Sequence, residues 1–276
     1  MTKIRIKIII CLFTLLIDLY CGFIFINMYN SIYTPTLSKV DISSTLNNSI
    51  LSQKDYSLIF FQTGLAKPAI DDLRTQDDSI NKILSYQASY YTKHKIYKEK
   101  LNPFTSQENL IVNNTLNNGS FKLAPLKNGD ILLTKSTHTL YWRHGHCGIV
   151  VDAKNGKTLE SLEPGTVSIQ QDISKWQSYS TFKLMRLKNV EQAKLDEIAQ
   201  YALQNLTGIK YSIFASKKNS NKPTAVNCSQ LIYQAYNNFG YNLDSNGGIF
   251  ITPENIAKSK LLTTVQIYGF NPKKDW

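Results

Sequence analysis

An α+β fold is what the sequence predicts, and two observations predict it. Short strand-like runs between residues 131 and 187 are separated by turn-forming residues, and two amphipathic helical stretches follow them. A long apolar segment at residues 8–28 stands apart from this body and adds a membrane-spanning helix in front of it.

The apolar segment reads IIICLFTLLIDLYCGFIFINM, with only Thr14, Asp18 and Asn27 clearly polar. As a helix it rises about 31 Å, enough for a bilayer core of about 30 Å. Asp18 near its middle costs about 3 kcal/mol, which the surrounding Leu, Ile and Phe offset. Lys3, Arg5 and Lys7 precede it, so the positive-inside rule puts the N-terminus in the cytoplasm and the rest outside. A cleaved signal peptide is the alternative. Its apolar region normally runs about 7–15 residues and ends in a small-residue site, and no A-x-A pattern follows here. Asp18-Leu19-Tyr20 also lacks the small residues that a lipoprotein site at Cys21 requires.

Residues 31–125 read as a stalk and a helical accessory region. The stretch to residue 54 is rich in Ser, Thr and Asn, and the run DYSLIFFQTG at 55–64 is too short to separate strand from helix. Pro68 opens a helix, because proline is tolerated in the first turn. Ile70, Leu73, Ile80, Ile83 and Leu84 then recur at near-helical spacing, in a pattern that continues toward Tyr97. Asn102-Pro103 ends it, and the chain up to Ser120 is turn-rich.

From residue 126 to 276 the texture is that of the main domain. Asn128-Gly129-Asp130 is a turn, and strands are predicted at 131–134, 148–152, 158–162, 165–170 and 181–187. A helix over 190–205 carries Leu195, Ile198, Ala199 and Ala202 on one face. A second over 227–239 turns Leu231, Ile232 and Ala235 inward.

The formal charge is +11 and the hydrophobic fraction 42%, which is ordinary for a globular protein with a basic surface. Basic residues concentrate at 93–100 and 217–222. No RNA-binding aromatic signature, zinc-finger spacing or P-loop is present, so nucleic acid is not an expected partner. Of the four cysteines, Cys11 and Cys21 lie in the apolar segment, leaving Cys147 and Cys228 for the body. That is neither a disulfide framework nor a metal site, and no cofactor is expected.

Three places hold candidate chemistry. His146 opens a strand between Gly145 and Gly148, with little bulk around it. Side chains alternate across a strand, so Cys147 faces away from His146 and reads as a small core residue. Cys228 starts an amphipathic helix, where free N–H groups and the macrodipole stabilise a thiolate and an oxyanion. Glu160 lies on the strand after that of His146 and is placed to orient the imidazole. Alone, each has a plain structural reading: a satisfied histidine, a buried thiol, a solvated carboxylate. His144 is the rival base and Glu163, beside Pro164-Gly165, the rival acid.

In order, several segments resemble one group of proteins. They are Asn128-Gly129-Asp130-Ile131-Leu132, Gly145-His146-Cys147-Gly148-Ile149-Val150 with Glu160, and Gly208-Ile209-Lys210-Tyr211. Asn227-Cys228-Ser229-Gln230-Leu231-Ile232 and Thr252-Pro253-Glu254-Asn255-Ile256-Ala257 complete the set. The order is similar to that of the circularly permuted papain-like families related to NlpC/P60. The nearest in pattern are the YiiX-like group and the lecithin:retinol acyltransferase relatives. The likeness spans residues 126–262, and it departs from the pattern at Asn255, where Asp is expected, and at Cys147, where an apolar residue is usual.

The resemblance implies a permuted papain-like antiparallel sheet packed on helices, with Cys228 as nucleophile, His146 as base and Glu160 as orienting acid. Tyr211 is the candidate helper at the oxyanion. The implied activity is a membrane-anchored cysteine hydrolase cleaving an amide or peptide bond, cell-wall peptides among them, through a thioester. Two other classes fit the same residues: a lipid acyl hydrolase or acyltransferase, and a membrane-tethered binding protein with a vestigial site. An activated Cys228 separates the enzymes from the binding protein.

Overall fold

Alternating apolar residues after position 130 build an antiparallel sheet whose two faces are both covered. They do so in a computed structural model that describes residues 2–29, 32–112, 115–116, 121–140, 142–217 and 223–276. The sheet has six strands in the order β12-β9-β4-β6-β7-β8. These are β4 (Ile131–Thr134), β6 (His146–Asp152), β7 (Lys157–Glu160), β8 (Ile169–Asp172), β9 (Phe182–Leu187) and β12 (Leu262–Tyr268), and every neighbouring pair is antiparallel. The protein is therefore α+β, as the sequence predicts.

One face carries Ile131, Leu133, Cys147, Ile149 and Leu159 against α6 (Gln192–Asn205) and α7 (Cys228–Asn237). The opposite face carries Leu132, Val150, Phe182 and Leu184 against the region before residue 126. Burial on both sides explains why β4 and β9 have no solvent-facing side chains. Helix α8 (Pro253–Ala257) is closed by a capping box between Thr252 and Asn255. Asn255 therefore does here what an aspartate would do at that position.

The accessory region differs from the sequence expectation in three ways. The predicted stalk is docked: Ile42, Leu46 and Leu51 are buried, and Gln62 and Gln87 donate to the carbonyls of Ser38 and Val40. Its polar composition hides these few anchors. The long helical pattern is in fact two helices, α4 (Lys67–Arg74) and α5 (Ser79–Tyr91), broken at Asp78, whose φ of 55° leaves the helical region. Beyond them lies a β-hairpin, β1 (Lys95–Lys100) with β2 (Thr105–Val112), in place of the expected helix end and turn-rich stretch. β1 is exposed on both faces, so it has no apolar alternation to read, and pairing alone makes it a strand. A short β3 (Thr115–Leu116) and β5 (Thr137–Thr139) also pair with β2.

The undecided run at 55–64 belongs to α3 (Gln53–Thr63), which opens on a capping box between Ser52 and Asp55; α2 (Ser43–Leu46) precedes it. Of the basic stretch at 217–222, only Lys217 lies within the described residues. α1 (Thr2–Tyr29) is one helix apolar and long enough to cross a membrane, and its segment 5–23 is not buried by the rest of the fold. It fits either an anchor or a signal sequence.

An ion network ties the layers together. Arg186 on β9 donates to Asp130 (Nε–Oδ1 2.7 Å, Nη2–Oδ2 2.8 Å) and to Asp72 of α4 (2.9 Å). Asp72 also receives Lys127 at 2.8 Å.

Candidate active site

His146 is the first residue of β6, so its ring stands at the end of the sheet. Gly145 before it has φ +75°, and a Cβ there would fall 2.5 Å from the Thr134 carbonyl, so only glycine makes this entry turn. Two residues on, a Cβ at Gly148 would sit 2.9 Å from Glu160 Cγ and 3.1 Å from the Trp176 ring. The missing side chain at Gly148 is the space that Glu160 occupies.

Glu160 ends β7, antiparallel to β6, and is fully buried on the same sheet face as His146. Its carboxylate is saturated with donors. His146 Nε2 reaches Oε2 at 2.7 Å and Lys175 Nζ the same oxygen at 2.7 Å. Thr158 Oγ1 donates to Oε1 at 2.5 Å and Trp176 Nε1 at 2.9 Å. Burial alone would push this carboxyl up. The hydrogen bond from His146 and the charge of Lys175 outweigh it and hold Glu160 at about 2. Lys175 and Trp176 both come from a 3-10 turn, Ile173–Ser178, and the Trp176 ring stacks on His146 with centroids 5.5 Å apart.

Cys228 is the first residue of α7, and Asn227 caps the helix by accepting from Gln230 N at 2.9 Å. Its half-buried thiol interacts with His146 and with Cys147 and lies 3.7 Å from Ser229 Oγ. Because Nε2 of His146 is engaged by Glu160, Nδ1 is the nitrogen left for Cys228. The Cys147 thiol, acting as donor, and then the hydrogen bond and charge of His146 hold Cys228 well below the ordinary thiol range against burial. Burial would depress His146, but the sulfur of Cys228 and the carboxylate of Glu160 raise it to about 9. These shifts all favour a thiolate, an imidazolium and a carboxylate in a row.

Cys147 is fully buried on the α6–α7 face, opposite His146, as strand alternation requires. Burial and the neighbouring sulfur push its thiol well up. Tyr211 lies on β10 (Lys210–Tyr211), beside Val226 of β11 (Ala225–Val226). Burial first and then the nearby Cys228 raise its hydroxyl above the ordinary phenol range. Thus the structure brings Cys228, His146, Glu160 and Tyr211 together.

The two rivals are held differently. His144 has both ring nitrogens engaged, Nε2 with Thr139 Oγ1 at 3.0 Å and Nδ1 with its neighbour's carbonyl at 2.8 Å. Glu163 is exposed in a turn. Sequence reasoning missed Thr158, Lys175 and Trp176. Strand alternation puts Thr158 on the face of Glu160, two residues on, whereas no local pattern marks Lys175 and Trp176, because their 3-10 turn reaches Glu160 only through the tertiary fold. Among the described residues, no group of three or more His, Cys, Asp or Glu side chains is set to hold a metal ion.

The loop that delivers His146 is clamped by the accessory hairpin. β5 pairs with the start of β2, and Glu108 of β2 forms a two-pronged pair with Arg143 (2.6 and 2.9 Å). Ser180 donates to the same carboxylate at 3.1 Å, and His138 Nε2 lies 3.3 Å away. Burial would raise Glu108, but His138 and Arg143 hold it at about 2. The folded value lies below the ordinary glutamate value of about 4.3. This stabilisation is therefore complete above that value and lost as pH falls through it toward 2. Glu108→Gln is expected to lower the urea midpoint at pH 7 and to flatten part of its fall between about pH 4.3 and 2. Equal midpoints for the two proteins at pH 7 would show that the clamp contributes nothing.

No known family profile matches the chain. The chain is similar to the uncharacterized protein YycO of Bacillus subtilis (strain 168), at 29% identity over 149 residues. That match covers 53% of this chain and spans 58% of YycO. Among solved structures, it is similar to the crystal structure of metalloprotein yiiX from Escherichia coli O157:H7. The superposition covers 51% of this chain and 97% of that one, at 16% identity and a TM-score of 0.39.

Proposed function

We propose that the chain is a membrane-anchored thiol hydrolase that cleaves an amide or peptide bond by acyl transfer through Cys228. In this reading the main domain is a circularly permuted papain-like domain, α1 anchors it, and the site faces away from the cytoplasm. One observation carries the proposal: a helix-start cysteine, a strand-start histidine and a buried carboxylate meet, with His146 between the other two. An inert buried thiol needs neither partner.

The chemistry follows from the row of charges. The Cys228 thiolate attacks the carbonyl carbon, and the oxyanion is met by the Cys228 backbone N–H, with the Tyr211 hydroxyl beside it. His146 gives its Nδ1 proton to the departing amine as the C–N bond breaks, leaving a thioester. Water, deprotonated by His146, then attacks the thioester and returns Cys228 to the thiolate. Glu160, fixed by its other donors, keeps Nε2 protonated and the ring aimed. A lipid acyl substrate is the second reading, and it is favoured by Phe214, which stands 76% exposed three residues after Tyr211.

The test is the rate of iodoacetamide alkylation at Cys228 against pH, read by peptide mass spectrometry, in wild type and in His146→Ala. The wild-type rate is expected to be fast well below pH 8, because the neighbouring imidazolium keeps the thiolate populated there. In the variant it should collapse onto an ordinary thiol profile centred near about 8.5. A wild-type profile already centred there and unmoved by the mutation would leave the binding-protein reading in its place.

A further inference from the structure

We propose that the tip of the β1–β2 hairpin and the neighbouring Thr139, Leu140 and Trp142 dock together on the surface of an anionic lipid bilayer, on the side of the fold that delivers His146. Four large apolar side chains stand in solvent there: Leu101 at 44%, Phe104 at 66%, Leu140 at 51% and Trp142 at 52%. Backbone bonds hold them to one tip. Leu101 N donates to Thr105 O at 3.0 Å, and Leu140 N donates to Phe104 O at 2.9 Å. Thr139 and Trp142 exchange bonds of 3.0 and 2.9 Å. Single exposed apolar residues are ordinary, whereas a contiguous group marks an interaction surface. Leu140 also sits at φ 48°, a left-handed conformation that a leucine rarely adopts. Strain of this kind accumulates at working surfaces.

A bilayer fits this surface on two counts. Lys95, Lys98 and Lys100 line the adjoining strand, which suits anionic headgroups. The chain also returns from α1 to the base of this hairpin, where Ile96 pairs with Leu110, about five strand residues from Leu101. α1 ends at Tyr29, and Tyr33 N already donates to Gly269 O at 2.8 Å, so the intervening backbone spans at most about 14 Å. Ile96 of β1 lines the same cleft as Tyr33 and Gly269. These residues then lead to the site, since the Trp142 ring meets the His144 ring edge-on at 5.8 Å, two residues before His146. The proposal rests on the reading of α1 as an anchor and is independent of the chemistry at Cys228.

The test uses the full chain in vesicles of phosphatidylcholine and phosphatidylglycerol with brominated acyl chains. The Trp142 signal is the wild-type fluorescence less that of Trp142→Phe. Bromine is expected to quench at least half of that signal, and aqueous iodide to quench little of it. A Phe104→Asp/Leu140→Asp double variant should reverse both results while still floating with the vesicles. Wild-type Trp142 as open to iodide as in the double variant, in a chain that floats, would overturn the docking face alone. A chain that does not float with the vesicles would overturn the anchor, and the docking with it.

Discussion

Replacing Cys228 with Ala is expected to abolish labelling by a thiol-reactive acyl probe and to reduce turnover to background. The fold should survive, because the position is half-buried at the start of α7 and alanine is a good helix former. No other thiol can take over. Cys147 is fully buried with its thiol driven up, and Cys11 and Cys21 lie on α1, away from the body. Loss of a catalytic nucleophile commonly lowers kcat by about 10⁶ in thiol and serine enzymes. The loss should therefore be complete within ordinary detection. Labelling that persists in Cys228→Ala, mapped by mass spectrometry, would remove Cys228 from the nucleophile role.

Glu160→Gln should cost both stability and reactivity. The carboxylate accepts from four donors, two of them cationic, with no exposure to water. A glutamine loses the charge and turns an NH₂ group toward one of those donors. Breaking one partner of a buried ion pair costs about 3–5 kcal/mol, to be read as a drop in the urea midpoint. The second consequence concerns His146, which Cys228 and Glu160 together raise to about 9. With one of the two removed, the imidazolium is lost at lower pH. The imidazolium then supports the Cys228 thiolate less, so the onset of fast alkylation should move up toward the ordinary thiol range in the folded variant. Unchanged stability together with an unchanged alkylation profile would mean that Glu160 neither supports nor orients His146.

Much of the candidate site was legible because its residues sit at element starts and ends, where local pattern is informative. The alternation in Gly148-Ile149-Val150-Val151 places His146 on one face and Cys147 on the other. The spacing of Leu231, Ile232 and Ala235 sets the helix that Cys228 opens. What escaped was set by long-range contact. Lys175 and Trp176 reach Glu160 from a turn with no sequence signature, and Glu108 reaches Arg143 across 35 positions. β2 also escaped, because its polar first half, Thr105-Ser106-Gln107-Glu108, pairs with exposed β1 and follows Asn102-Pro103, which reads as a stop. β12 lies beyond the last predicted helix, and its bulge between Thr264 and Gln266 blurs the two-residue period.

The position of β12 bears on how the chain reaches this fold as it is made. This last strand does more than complete an edge of the sheet. Its Val265 carbonyl accepts from Ala66 N, its Ile267 N donates to Gly64 O, and Gln266 bonds both Ala124 N and Lys122 O. Gly269, just past it, receives Tyr33. Segments before residue 126 thus wait for residues 265–269 before these backbone groups are paired. Such a chain has high contact order and closes late, after most of its length has emerged. Until then β9 is an unpaired edge, the template on which partly made copies would associate.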